Sequence, residues 1–130
     1  MGDLSEHFGR WEFECHGVGC CGNSSPVDER LVEGLEELRK LAVDRCGGVE
    51  VPIHVDSGFR CRVHNFAVGS ADGSLHCLGM AADIWTEKVK ACELALLAES
   101  VEVFCNGGIG SYDGFVHVDV RRNGPARWFG

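Results

Sequence analysis

Two stretches of this chain carry residue types that could hold a metal ion together: Ser74-Leu-His76-x6-Asp83 and Phe115-Val-His117-Val-Asp119. They supply two imidazoles and a carboxylate from segments rich in small or β-branched residues. A catalytic zinc site needs three nitrogen or oxygen ligands from the protein and one open position for water. The residue set meets that need, and the neighbouring glycines leave room for a substrate. The chemistry it points to is metal-assisted hydrolysis.

Strand geometry sorts the candidates. Side chains alternate faces along a strand, so Val116, Val118 and Val120 turn to one side while Phe115, His117 and Asp119 turn to the other. The valines belong to a core. His117 and Asp119 share the opposite face, roughly 7 Å apart at ~3.4 Å per residue. In the other segment Met80, Ala82 and Ile84 share one face, and Ala81 accompanies Asp83 on the second. A small residue beside a ligating carboxylate keeps the site open. His76 precedes this strand in a loop ending at Gly79 and can fold back toward Asp83. A lone histidine is ordinarily a hydrogen-bonding residue, and His7, His16 and His54 are read that way, with His64 left open. His76 and His117 differ because Asp83 and Asp119 interrupt apolar strands, where an ionisable group is costly unless paired or bound to metal.

The elements that must position these residues form one mixed domain spanning 1–130, without repeats or linkers. Residues 1–25 read as an irregular arm anchored by Phe8, Trp11 and Phe13. Ser25-Pro26-Val-Asp28 is a helix start, with a serine N-cap and proline at the first helical position. Leu31, Leu35, Leu38 and Leu41 then mark a helix over 27–45, ended by Gly47-Gly48. Val49 to Val55 is a strand, 61–67 a short helix, 69–75 a glycine-bearing loop and Gly79 to Trp85 a second strand. Thr86-Glu87 caps a helix over 87–99 that buries Val89, Cys92, Leu96 and Leu97. Val101 to Phe104 and Phe115 to Val120 are the last strands, joined by a glycine-rich turn at 106–114. The expected fold is α+β, a central antiparallel sheet flanked by helices.

Charge and composition remove some classes of function. Twelve basic residues against twenty acidic ones leave a net charge of −8, which argues against a nucleic-acid binder. The polar start Met1-Gly-Asp-Leu-Ser-Glu-His is unlike a signal peptide, and no run reaches the ~20 apolar residues of a membrane span. The protein is expected to be a monomer, and if it acts outside the cell that makes it, something else must export or release it. The eight cysteines are Cys15, Cys20, Cys21, Cys46, Cys61, Cys77, Cys92 and Cys105, without the spacing of a zinc ribbon. Cys92 and Cys105 read as small core residues, in a helix and at a strand end. Cys15, His16, Cys20 and Cys21 are close enough for a second, structural metal or a disulfide. Those two readings and free thiols stay open.

Further stretches carry a resemblance. They are Ser57-Gly-Phe-Arg60-Cys-Arg-Val-His64-Asn65, Ser74-Leu-His76-Cys-Leu-Gly79-Met-Ala81-Ala-Asp83, Gly107-Gly-Ile-Gly110-Ser-Tyr112 and Phe115-Val-His117-Val-Asp119. Together they resemble the zinc D-alanyl-D-alanine carboxypeptidase and murein endopeptidase family, which shares its fold with the hedgehog signalling domain. The arm Phe8-Gly-Arg-Trp-Glu-Phe13-Glu-Cys15 and the helix after it are similar to the short, phage-associated branch. The resemblance implies that His76, Asp83 and His117 ligate zinc. It implies that Arg60 binds a peptide carboxylate or the oxyanion, and that Ser74 supports the site or the substrate. The implied substrate is a peptide stem or cross-link of bacterial peptidoglycan, and the implied setting is synthesis in a bacterial cytoplasm, host- or phage-encoded, with action on the wall after release.

One departure matters. Where some branches place a glutamate base three residues before the last histidine ligand, this chain has Gly114. The base then falls to Asp119, which shares a face with His117, or to Asp113 at the mouth of the glycine turn. Asp119 has an equal second reading, in which it orients a ligand. The expected reaction is peptide hydrolysis by metal-activated water. The alternative is a zinc-containing wall-binding module of the same fold without catalysis. A cysteine hydrolase using Cys77 beside His76 is geometrically poor, because adjacent residues on an extended stretch face opposite ways.

Overall fold

A computed structural model of the chain describes residues 2–22, 26–70 and 74–130. The serine N-cap expected at Ser25, and part of the 69–75 loop, lie outside them. The first helix, α1 (Glu29–Arg45), is capped by Asp28, whose carboxylate accepts from Arg30 N at 2.9 Å. Leu31, Leu35, Leu38 and Ala42 recur at helical spacing and are fully buried. Gly47 and Gly48 then take φ of 76° and 91°, which stops the helix where glycine was expected to stop it.

Five strands follow: β1 (His54–Ser57), β2 (Ala81–Trp85), β3 (Gly108–Ser111), β4 (Val116–Asp119) and β5 (Ala126–Phe129). Their order is β1-β2-β4-β3-β5. All neighbours are antiparallel except β3 and β5, which run parallel. The sheet is therefore mixed, antiparallel through four strands and closed on one edge by a strand that sequence periodicity did not reveal. Helices α1, α3 (Ala91–Ala98) and α4 (Glu102–Cys105) cover one face, where Ala82, Ile84, Ile109, Val116 and Val118 meet Leu35, Leu94 and Phe104. The other face is left for chemistry. The fourth helix, α2 (Arg62–Ala67), lies in the connection between β1 and β2. No helix among the described residues is long and apolar enough to cross a membrane.

The strand expected over Val49 to Val55 is confined to His54–Ser57, the turn expected at 106–114 contains β3, and two further elements differ for a packing reason. Val101 to Phe104 is a helical turn rather than a strand. Val101 and Phe104 are both fully buried, three residues apart, and Phe104 lies against Gly34 of α1, where a Cβ would come within 2.7 Å of its ring. Cys105 accordingly ends α4, exposed. The helix expected from 87 starts at Ala91, because Val89 is drawn into a separate small cluster with Ala42 and Val51. Its buried stripe is Leu94, Ala95 and Ala98, while Cys92 is exposed and Leu96 is 71% exposed. Small alanines let α3 approach the sheet, and the larger residues on the other stripe misled the reading.

The arm is better ordered than expected. Phe8 and Phe13 enter the main core, although Trp11 stays 72% exposed and anchors nothing there. Glu36 of α1 accepts hydrogen bonds from Ser5 Oγ at 2.6 Å and His7 N at 2.7 Å. Phe59 N donates to Phe13 O at 2.9 Å, and Gly58 is pressed against Phe13. The arm thus braces the loop that follows β1.

Candidate metal centre

Sheet register alone brings the candidate ligands together. Asp83 of β2 pairs directly with His117 of β4, as Ala81 pairs with Asp119. Directly opposed residues hold their Cβ atoms about 5 Å apart. The same row continues through Ser57 on β1, Gly110 on β3 and Trp128 on β5. Gly110 has no side chain to intervene, so the Trp128 ring reaches within 5.0 Å of the His117 ring, centre to centre.

His76 arrives from a 3-10 turn over Leu75–Leu78. Ser74 caps that turn by accepting from His76 N at 3.3 Å. Gly79 ends it at φ 69°, against Pro26 O, where a Cβ would lie 2.3 Å away. This reversal points the buried His76 at Asp83, as the loop reading anticipated. His76 Nε2 is 3.4 Å and His117 Nδ1 3.1 Å from Asp83 Oδ1. One ligand atom from each residue falls within 4.8 Å of the other two.

The outer nitrogen of each ring decides whether the set fits a cation. His76 Nδ1 is 2.7 Å from Gly58 O, an acceptor only, so Nδ1 must carry the proton. His117 Nε2 is 2.8 Å from Asp119 Oδ2 and donates to it. In the neutral ring the nitrogen turned toward Asp83 is then the unprotonated one, the form a metal ion takes up once the proton shared with Asp83 is lost. Such outer hydrogen bonds are how metal-binding histidines are held. Two imidazole nitrogens and a carboxylate oxygen, with the fourth direction open to a cavity, suit zinc.

Electrostatics agree. Burial alone would raise the Asp83 carboxyl, but hydrogen bonds from His117 and His76 outweigh it and hold the group well below the usual carboxylate range. Burial would likewise lower His117, yet Asp119 and Asp83 raise it above the ordinary imidazole value.

Asp119 lies behind the site and does not line the cavity. It is fully buried, with Oδ1 accepting from Gly108 N, Arg121 N and Arg121 Nε, and Oδ2 from His117 Nε2 and Arg121 Nη2. These donors use up its lone pairs, and the His117 ring separates it from Asp83. Of its two readings, this placement favours the one in which it orients a ligand. Asp113 is exposed and does not line the cavity beside the ligands.

That cavity has a volume of about 600 Å³ and opens over His76, Asp83 and His117. Arg60 enters it from the loop after β1, held by Asn65 Oδ1 at 3.2 Å, Ser70 Oγ at 3.2 Å and Ser74 Oγ at 3.5 Å. Among the described residues no carboxylate pairs with Arg60, so its charge faces the open space. Ser74 thus both caps the His76 turn and steadies Arg60. The opposite wall was not foreseen. It consists of Tyr112, stacked on Phe115 at 4.4 Å, Trp128, whose Nε1 donates to Tyr112 Oη at 2.9 Å, and Arg121. The alternation Ala-Arg-Trp-Phe at 126–129 was the one signal for Trp128.

The thiols also meet. Cys15, Cys20, Cys21 and Cys61 bring their sulfurs within 4.8 Å of one another, while His16 is exposed and stands apart. Without a cation the cluster resists ionisation: hydrogen bonding to Cys61, then burial, then Cys15 and Cys21 push the Cys20 thiol up to about 12.

No curated protein matches the chain significantly. The sequence profile of the Peptidase M15 family matches residues 7–119, from the braced arm to the last strand of the ligand pair. With the candidate ligand set, its two outer hydrogen bonds and four of the five strands inside that span, the chain belongs to the peptidase M15 family of zinc metallopeptidases.

Proposed function

We propose that the protein hydrolyses a peptide bond in the stem peptides or cross-links of bacterial peptidoglycan, as a D,D-carboxypeptidase or endopeptidase. The observation that carries this is the juxtaposition of the His76–Asp83–His117 set with an Arg60 that no described carboxylate neutralises. A stem peptide ends in a carboxylate, and a planar guanidinium grips a carboxylate through paired hydrogen bonds. The likeness of arm and first helix to the short, phage-associated branch favours a role in opening the wall.

Zinc, when bound by His76 Nε2, Asp83 Oδ1 and His117 Nδ1, supplies a Lewis acid and lowers the pKa of water toward ~7. The remaining work belongs to the chain. Arg60 anchors the substrate carboxylate or steadies the tetrahedral oxyanion from one wall. Tyr112 accepts from Trp128, which leaves its own hydroxyl proton to donate into the cavity toward the departing amine. Tyr112, Phe115 and Trp128 form an aromatic wall against which a peptide stem can lie.

A second reading is a wall-binding module that keeps zinc without cleaving. Its support is specific: among the described lining residues Asp83 is the only carboxylate. Digestion of defined muropeptides, with products weighed by mass spectrometry, separates the two. Loss of a terminal D-alanine or of a cross-link is the expected result, abolished together with cavity-bound zinc in His76→Ala. Zinc-loaded protein that binds walls yet releases no product would establish the module instead.

A further inference from the structure

At the root of the arm a loop follows a tightly turned path with almost no buried residue to fix it. Among residues 16–22 none is buried, and Val18 is wholly exposed. Gly19 and Gly22 adopt φ of 70° and 69°, so the chain turns tightly on both sides of Cys20-Cys21. Gly17 packs so closely that a Cβ there would lie 2.5 Å from Cys20 Sγ and 3.0 Å from His64. Every one of these turns presents sulfur to the same point.

Cys15 Sγ lies 3.8 Å from Cys20 Sγ and 3.8 Å from Cys61 Sγ, and Cys20 Sγ lies 3.8 Å from Cys21 Sγ. None of the four is in a disulfide. A tetrahedron built from Zn–S bonds of ~2.3 Å has edges of about 3.8 Å. The fourth sulfur comes from a residue 40 positions further on, the N-cap of α2, and Cys61 Sγ also accepts from His64 N at 3.5 Å. An N–H aimed at sulfur is the kind of outer hydrogen bond that steadies a ligating thiolate.

We propose that Cys15, Cys20, Cys21 and Cys61 hold a second zinc ion as a closed tetrathiolate, which fastens the arm to the loop carrying Arg60. Each thiol gives its proton to solvent on binding, leaving four thiolates and one divalent ion with a site charge of −2. With four protein ligands no coordination place remains for water, so the ion is structural. Tetrahedral sulfur sites take zinc or iron, and hydrolysis moves no electrons, which favours zinc. The clamp closes between the arm and Arg60's neighbour in sequence, across from the Gly58 carbonyl that orients His76. It is independent of the proposed substrate.

The test is metal content in protein purified without chelator from zinc-supplemented cells. Wild type should carry two zinc ions per chain, the His76→Ala/His117→Ala double variant one, and Cys20→Ser/Cys61→Ser one. One zinc in wild type and none in the histidine variant would overturn the second site while leaving the catalytic centre intact. Iron in place of zinc would overturn the assignment of the ion. Should the cysteine variant fail to fold, cobalt loaded into the histidine variant gives the reading alone. Intense sulfur-to-cobalt charge-transfer absorption supports a tetrathiolate, and its absence, or a Cys15–Cys61 disulfide by non-reducing mass spectrometry, rejects it.

Discussion

His117 touches a carboxylate at each nitrogen, and the surroundings of those carboxylates divide the labour between them. Asp83 opens onto the cavity, whereas Asp119 is walled in by Gly108 and Arg121. Outer partners of this kind are worth about 10–100-fold in metal affinity. Asp119→Asn is therefore expected to weaken zinc binding by that factor in competition with a chelator, with hydrolysis restored when zinc is in excess. A base would not behave so, because added metal cannot replace a lost proton acceptor. Activity that stays low at saturating zinc would return Asp119 to the catalytic role. Gly108→Ala approaches the same point from behind. Its Cβ would lie 2.3 Å from Asp119 Oδ2 and displace the carboxylate without altering any ligand.

Among the elements, the arm contributes most beyond its apparent role, and Glu36 is the residue through which α1 holds it. Burial would raise the Glu36 carboxyl, but hydrogen bonds from Ser5 and from the backbone and ring of His7 outweigh it and lower its pKa. Stability from a lowered carboxyl is present above the unfolded value and is lost as pH falls through the lower folded one. Glu36→Ala is expected to cost about 1–3 kcal/mol in urea unfolding near neutral pH, and the two proteins should converge in acid. Curves that stay parallel into acid would show that Glu36 acts through packing alone. The limits of sequence reading follow from the same elements. Helix α1 and the paired strands β2 and β4 were legible because one side chain in two or in three to four must face the core, and Asp83 and His117 stood out against that pattern. Cys61 and Trp128 were not, since their roles arise only when segments distant in sequence meet, and Arg121 follows a strand end with no periodicity to mark it. Helix α4 was hidden because Val101, Val103 and Phe104 carry strand composition in a single helical turn.

On the scale of the whole molecule, an acidic chain of net charge −8 surrounds a cavity whose walls carry Arg60 and Arg121. The sheet separates the two regimes, with apolar packing beneath and charge above. Stability and metal binding therefore meet at His117. Its pKa is raised, so in the metal-free protein its contribution is complete below the unfolded value of about 6.5 and fades as pH rises through the folded one. Zinc requires the same Nδ1 without its proton, so zinc affinity grows over the interval in which the metal-free fold loses that support. The depressed carboxyls of Asp83 and Asp119 change only in stronger acid and leave this window undisturbed. Thermal unfolding with and without zinc, from about pH 5 to about pH 9, should show a gap that widens with pH, toward about 4 kcal/mol when zinc stands at 1,000 times its dissociation constant. Subtracting the same measurement on the His76→Ala/His117→Ala variant removes any contribution from the thiol cluster. A difference that remains flat across that range would mean that protons and zinc do not compete for His117, and the ligand assignment would have to be redrawn.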